Sequence, residues 1–181
     1  MLEKASSYMV ITSVDVQKPD KIKDSKALFA ESGEVYVSSE NIYYYETMWG
    51  WEEGSEDKTS IRKISYKDGK LKAVAKETIP GYINDSFSID EYEGYLRIVA
   101  TVGDTNSVYV LDEDLDITGS IEGLAEDERV YSARFMGATG YFVTFRETDP
   151  LFTVDLSNPK APKIIGKLKI PGFSDYLHFY G

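Results

Sequence analysis

The chain reads as all-β and, within that class, as a β-propeller. Three observations predict it. Short runs rich in β-branched and aromatic residues alternate with Gly, Asn-Pro and Ala-Pro turn signals, most clearly in four successive strands, Val130–Phe135, Tyr141–Phe145, Leu151–Asp155 and Ile164–Ile170. The unit recurs, since Ile79-Pro80-Gly81-Tyr82, Ile121-Glu122-Gly123-Leu124 and Ile170-Pro171-Gly172-Phe173 lie 42 and 49 residues apart. A second marker, Phe87-Ser88, Tyr131-Ser132 and Phe173-Ser174, keeps step at 44 and 42 residues. Four strands in a period of about 40–50 residues suit a propeller blade. An irregular sandwich also spaces its strands evenly, but two markers holding one period favour the propeller.

In chain order, Ser7–Val16 is a strand, Gln17–Asp20 a turn, and Ile22–Ala30 a second strand running toward a turn at Gly33. The stretch Thr12–Pro19 parallels Phe152–Pro159, so the chain opens on the third and fourth strands of a unit, a partial blade over 1–33. The first full blade, about 34–80, holds Glu34–Ser38, Asn41–Thr47, Ser60–Tyr66 and Leu71–Ile79, with Lys67–Lys70 as a tight hairpin turn. Its second and third strands are separated by a long insertion, Met48–Lys58. The second blade, 81–123, holds Phe87–Asp90, Tyr95–Val102, Ser107–Asp112 and Ile117–Ile121, and the third spans 124–171. The stretch 172–181 is expected to begin a further blade with one inner strand. Two strands, three sets of four and one more leave a blade short of a strand, which predicts a partial propeller, a piece of a larger one.

At 181 residues the chain can bury a sizeable core, and its 14 Tyr, 8 Phe and 2 Trp suit packed sheets. Twenty Lys and Arg against 31 Asp and Glu give a net charge of −11, so the surface repels nucleic acid and anionic lipid. No apolar run approaches the roughly 20 residues of a membrane-crossing helix, so no membrane insertion is expected. Met1-Leu2-Glu3-Lys4 and the polar residues after it do not read as a signal peptide. The absence of cysteine rules out disulfides and thiolate metal sites within these residues.

The motifs Tyr109–Leu115, Arg134–Gly137, Tyr141–Arg146, Asp149–Phe152, Val154–Pro159 and Ile170–His178 resemble bacterial and archaeal secreted or envelope proteins that carry a C-terminal β-propeller domain. The resemblance runs from about Ser7 to Gly181 and is densest in the third blade. It implies an extracellular or cell-envelope setting and a propeller that continues beyond His178, but no established activity and no catalytic residues.

Candidate sites are few. Tyr45, Trp49 and Trp51 gather aromatics around the long insertion, where flat rings on a rigid scaffold suit a sugar or a protein partner; packing between blades would use the same tyrosines. If they serve binding, Trp49 and Trp51 are expected to be exposed. Arg134 and Arg146 lie near apolar strand positions with Arg97 and Asp149. Arg134 could line a channel and hold an anion, although such an arginine more often ties adjacent blades through a carboxylate such as Asp149. Asp112, Asp114 and Asp116 alternate as Ca²⁺ ligands do, yet Ile117 and Thr118 separate them from Gly119, and an acidic hairpin turn accounts for the same residues. No cofactor is expected. His178 is the single histidine, too few for a triad or a multi-histidine metal site. The recurring serines have no general base nearby in sequence, which points to packing.

These readings lead to a non-enzymatic binding or scaffold module of a secreted or cell-envelope protein, with a protein or cell-wall glycan as partner. The alternative is a propeller enzyme, a metal-assisted hydrolase whose channel site needs further blades; fold alone does not decide between them. Self-association through exposed blade edges or faces is also expected.

Overall fold

The computed structural model describes residues 7–52, 54–145, 149–170 and 177–178. Strands β1 (Tyr8–Asp15) and β2 (Lys18–Phe29) form an antiparallel hairpin. Three four-stranded sheets follow. The first is β3 (Glu34–Val37), β4 (Asn41–Met48), β5 (Lys58–Ser65) and β6 (Lys72–Pro80), with a 3-10 turn over Lys67–Gly69 between the last two. The second is β7 (Ile89–Tyr92), β8 (Tyr95–Val102), β9 (Thr105–Leu111) and β10 (Ile117–Leu124). The third is β11 (Arg129–Met136), β12 (Thr139–Phe145), β13 (Asp149–Asp155) and β14 (Lys163–Ile170). Each is a pure antiparallel meander in sequence order, which is the topology of a propeller blade.

Two boundaries differ from expectation for identifiable reasons. Strand β2 starts at Lys18 and runs through Pro19, which the sequence assigns to a turn. An outermost strand can carry proline because its outward N–H has no ladder partner to lose. Strand β7 starts at Ile89, two residues late, because Asp85 holds the preceding residues in a turn. Its Oδ1 accepts from the Phe87 N–H at 2.9 Å and the Ser88 N–H at 3.1 Å. The inner strand expected at 172–181 lies outside the described residues apart from Leu177 and His178, neither of which is in a strand.

The middle sheet explains why its strands read as nearly continuous apolar runs. Side chains alternate across a strand, and this sheet is covered on both faces. Leu96, Ile98 and Ala100 of β8 with Tyr109 and Leu111 of β9 pack toward Tyr43, Tyr45, Ile61 and Ile79 of the first sheet. Their alternates, Val99, Val108 and Val110, pack toward Val130, Ala133, Phe142 and Phe152 of the third. Phe142 and Phe152 stack with ring centroids 4.8 Å apart. Each fully buried aliphatic here contributes about 1.5–3 kcal/mol.

Polar ties run beside both cores. The Asn41 side-chain amide donates to Glu91 Oε1 at 2.8 Å, the Glu91 N–H donates to the Tyr36 hydroxyl at 3.0 Å, and Ser38 donates to the same carboxylate. Lys63 Nζ donates to the Glu113 carbonyl at 2.9 Å. Thr101 Oγ1 accepts from the Val130 N–H at 3.0 Å. The β1–β2 hairpin is attached more lightly. Asp24 Oδ2 accepts from the Leu71 N–H at 2.8 Å, Ser13 Oγ donates to the Gly69 carbonyl at 2.5 Å, and Arg62 donates to the Phe29 carbonyl. Tyr8, Val10, Ile22 and Phe29 remain exposed.

The repeated Pro-Gly marker has a structural cause at its first occurrence. Gly81 has φ +80°, and a Cβ there would lie 2.1 Å from the Thr101 carbonyl oxygen. The close approach lets Tyr82 and Thr101 exchange backbone hydrogen bonds of 2.9 and 3.0 Å, joining one sheet to the next. The recurring serine is likewise structural where described, with Ser88 and Ser132 both buried.

Candidate functional site

Antiparallel meanders send alternate connections to opposite ends. One end collects the sheet-to-sheet connectors (Ala30–Gly33, Gly81–Ser88 and Ala125–Glu128), the β4–β5 loop over Trp49–Asp57, and the β8–β9 turn at Gly103-Asp104. The short β3–β4 and β7–β8 turns and the β9–β10 turn are at the other.

The β4–β5 loop is held in shape by hydrogen bonds among its backbone, the Asp57 carboxylate and the Ser55 hydroxyl. The Gly50 N–H donates to Asp57 Oδ1 at 2.9 Å, and the Asp57 carbonyl accepts from the Gly81 N–H at 2.7 Å. Ser55 closes a tight turn, with its N–H 2.9 Å and its hydroxyl 2.6 Å from the Glu52 carbonyl. The Glu52 N–H returns a bond to Ser55 Oγ at 3.0 Å. Gly50 is needed for this closure, because a Cβ there would sit 2.6 Å from the Ser55 carbonyl oxygen.

This frame presents both tryptophans. Trp49 packs on Tyr82 with ring centroids 5.5 Å apart and stays 51% exposed, while Trp51 is 88% exposed. Trp49 divides two clefts. The larger, about 520 Å³, is lined by Phe29, Glu31, Glu46, Met48, Trp51 and Arg62 among others. The smaller, about 290 Å³, is lined by Ser32, Glu34, Tyr45, Tyr82 and Asn84. Farther along the same end, Tyr82, Asp104, Glu128 and Arg129 border a third cleft of about 470 Å³.

Tyr45 is brought to this site differently from the tryptophans. Its ring is in the core at 3% exposure, and its hydroxyl donates to Glu34 Oε2 at 3.0 Å in the wall of the smaller cleft. Burial and the Glu34 carboxylate raise its phenol well above the usual tyrosine range. The adjacent Tyr44 phenol donates to Glu46 Oε2 at 2.8 Å, and burial with this bond raises it to about 12.

The charge of this end is one-sided. Among the described residues, Glu31, Glu52, Glu56, Asp57, Asp85 and Glu126 lie on its connectors and loop, against Lys58 and Arg129. Arg62, on the floor of the larger cleft, is already engaged: Nη2 is 3.1 Å from Glu46 Oε1 and the guanidinium lies 5.6 Å from the Tyr44 ring centroid. Among the described residues three ion pairs form, Asp24–Lys26, Glu46–Arg62 and Asp90–Arg97, and Glu31, Glu34, Glu52 and Glu56 belong to none.

The other expected residues lie apart from this cluster. The Arg134 guanidinium stacks on Phe87 of the connector that leads into β7, 3.7 Å from the ring centroid, and Nη1 donates to the Ala133 carbonyl at 2.6 Å. Arg146 lies outside the described residues. A buried arginine that ties blades is Arg97, which pairs with Asp90 of its own sheet and donates to the Gly137 carbonyl. The Asp112–Asp116 segment is a turn at the opposite end. Asp112 Oδ1 points inward and accepts from the Asp114 and Asp116 N–H groups, both at 3.0 Å, while Leu115 at φ +68° drops into the core. Among the described residues no three His, Cys, Asp or Glu side chains gather as a metal site requires. Sequence reasoning missed Tyr82, Phe29 and Glu31 at the site; the signal was available for Tyr82, which follows the Pro80-Gly81 marker directly.

Comparison with known proteins agrees with the blade geometry. An uncharacterized protein of Archaeoglobus fulgidus is 54% identical over 123 residues, 67% of this chain and 19% of that protein. An uncharacterized protein of Methanocaldococcus jannaschii is 46% identical over 138 residues, 72% of this chain and 21% of that protein. The chain thus spans about a fifth of the length of these curated relatives. A family model described as the beta propeller domain matches residues 2–181, and the chain belongs to that family.

Proposed function

We propose that the chain is a non-enzymatic binding module of a secreted or cell-envelope protein, and that it engages a protein or cell-wall glycan partner through the Trp49–Trp51 end. The observation that carries this reading is Trp51, 88% exposed on a loop whose shape is fixed by hydrogen bonds rather than by the ring itself. An indole buries roughly 150–250 Å² when covered, and such rings dominate binding energy where they enter a partner. A rigid loop has already lost the conformational freedom that binding would otherwise remove.

The two tryptophans of the chain are both in this loop, so intrinsic fluorescence reads the site alone. Titration with soluble cell-wall oligosaccharides and with cationic, neutral and anionic peptides is expected to give a saturable blue shift with at least one class. Trp51→Ala is expected to abolish that binding while changing stability by no more than about 0.5 kcal/mol, as an exposed substitution does. A large loss of stability in Trp51→Ala, or no Trp51-dependent ligand in any class, refutes the reading.

A further inference from the structure

The Trp49–Trp51 end combines open apolar surface with uncompensated negative charge, and these together select a kind of partner. We infer that this end takes a cationic polypeptide segment, lysine or arginine side chains laid across Trp51 and into the cleft beneath Phe29 and Met48. The inference rests on the binding role proposed above and narrows it to one ligand chemistry.

The cleft floor contains one arginine, and its charge is spent. Arg62 pairs with Glu46, donates to the Phe29 carbonyl and lies over the Tyr44 ring. Glu31 on the facing connector, Glu34 in the wall of the adjoining smaller cleft, and Glu52 beside Trp51 keep their charges without a basic partner among the described residues. Glu34 is further fixed in place by the Tyr45 hydroxyl. An indole face attracts a cation through its quadrupole, and neighbouring carboxylates add to the same attraction. The aliphatic stems of lysine and arginine cover apolar surface such as Met48 while their heads remain at the carboxylates. A neutral sugar would use the ring faces and leave the charge excess unused. An anionic ligand would meet repulsion from a chain of net charge −11.

The test uses the intact chain and three probes: a (Lys-Gly)4 peptide, its (Gln-Gly)4 counterpart, and a hexamer of N-acetylglucosamine. The lysine peptide is expected to shift Trp fluorescence saturably, about tenfold more weakly in Trp51→Ala and severalfold more weakly in a Glu31→Gln/Glu52→Gln variant, with (Gln-Gly)4 inert. Raising salt from about 50 to 300 mM should weaken it further, since exposed charges are screened. Equal binding of the lysine peptide to wild type and Trp51→Ala would show attraction to the acidic surface at large and overturn the site. Trp51-dependent binding of the hexasaccharide without the peptide would overturn the cationic partner and leave the binding role standing. If no probe shows a Trp51-dependent response, the inference falls, and the wider peptide and oligosaccharide titration decides the binding role separately.

Discussion

Replacing Arg97 with alanine would remove a tie between two blades at a point sealed from water. The side chain is 3% exposed. Nε donates to Asp90 Oδ2 at 3.1 Å, Nη2 also meets that oxygen, and Nη1 donates to the Gly137 carbonyl of the next sheet at 2.5 Å. The guanidinium is flanked by the Tyr92 and Phe135 rings, 4.8 and 5.0 Å from their centroids. Removing one partner of a buried ion pair costs about 3–5 kcal/mol. Asp90 keeps 28% of its side chain exposed and can regain water, which places the expected loss at the lower end, about 3 kcal/mol. For a chain of this size that corresponds to a fall of about 6–12 °C in Tm. Urea unfolding of Arg97→Ala, Asp90→Asn and the double variant measures both the loss and the coupling between the two residues. A loss under about 1 kcal/mol, or strictly additive single effects, would show that the rings rather than the ion pair hold this joint.

Four further outcomes are expected. Gly81→Ala should destabilise by several kcal/mol in calorimetry, because a Cβ at φ +80° would meet the Thr101 carbonyl at 2.1 Å; a change under 1 kcal/mol would contradict that contact. Asp112→Ala should cost about 1 kcal/mol while Asp114→Ala costs little, since Asp112 alone of the two accepts the turn's N–H groups, and millimolar Ca²⁺ should leave both Tm values unmoved. Tyr43, Tyr44 and Tyr45 have phenols raised by burial first and by neighbouring carboxylates second, Tyr44 to about 12. The folded state therefore holds these protons more tightly than the unfolded chain, so their contribution is complete below about pH 10 and lost as pH rises above it, for Tyr44 through about 12; ionisation of all 14 tyrosines without loss of β-sheet circular dichroism would refute this. The hairpin aligns Tyr8 with Phe29, Val10 with Ala27 and Val14 with Ile22 on one exposed face, so light scattering should show association that rises with concentration and weakens in Tyr8→Ser/Phe29→Ser.

The sheets were legible because strands announce themselves by local chemistry. Gly81, Gly94 and Gly103 stand where φ is positive, and the β-branched runs between such points are strands. Strand β7 was misplaced because its start is set by Asp85, whose side chain competes with the ladder for the N–H groups of Phe87 and Ser88. The β4–β5 loop was legible as an insertion, since the strands on either side fix where it must emerge. What could not be read was which aromatics face water. Tyr45 and Trp49 are four residues apart, yet one is in the core and the other on the rim, because β4 ends at Met48 and alternation ends with it. The pairing of Arg97 was half legible. A buried arginine demands a carboxylate, but that the carboxylate is Asp90 depends on the register of β7 against β8, where Asp90 sits opposite Arg97.

That register also separates the molecule's two ends by role. At the end with the short turns, charges are consumed internally: Glu91 by Ser38 and Asn41, Asp112 by its own turn, Arg97 by Asp90 and Gly137. Such groups fix the angle between blades and are costly to disturb, because each is partly or wholly withdrawn from water. At the opposite end the loop is held by hydrogen bonds among backbone groups, the Asp57 carboxylate and the Ser55 hydroxyl, and the side chains of Trp51, Glu31 and Glu52 make none of those bonds. A surface whose shape does not depend on those three side chains can change them without unfolding the sheets beneath. Substitutions at the tryptophan end are therefore expected to alter recognition at nearly constant stability, and those at Arg97 or Glu91 to do the reverse. A Glu91→Ala variant as stable as wild type, or a Trp51→Ala variant that unfolds several degrees early, would contradict that division.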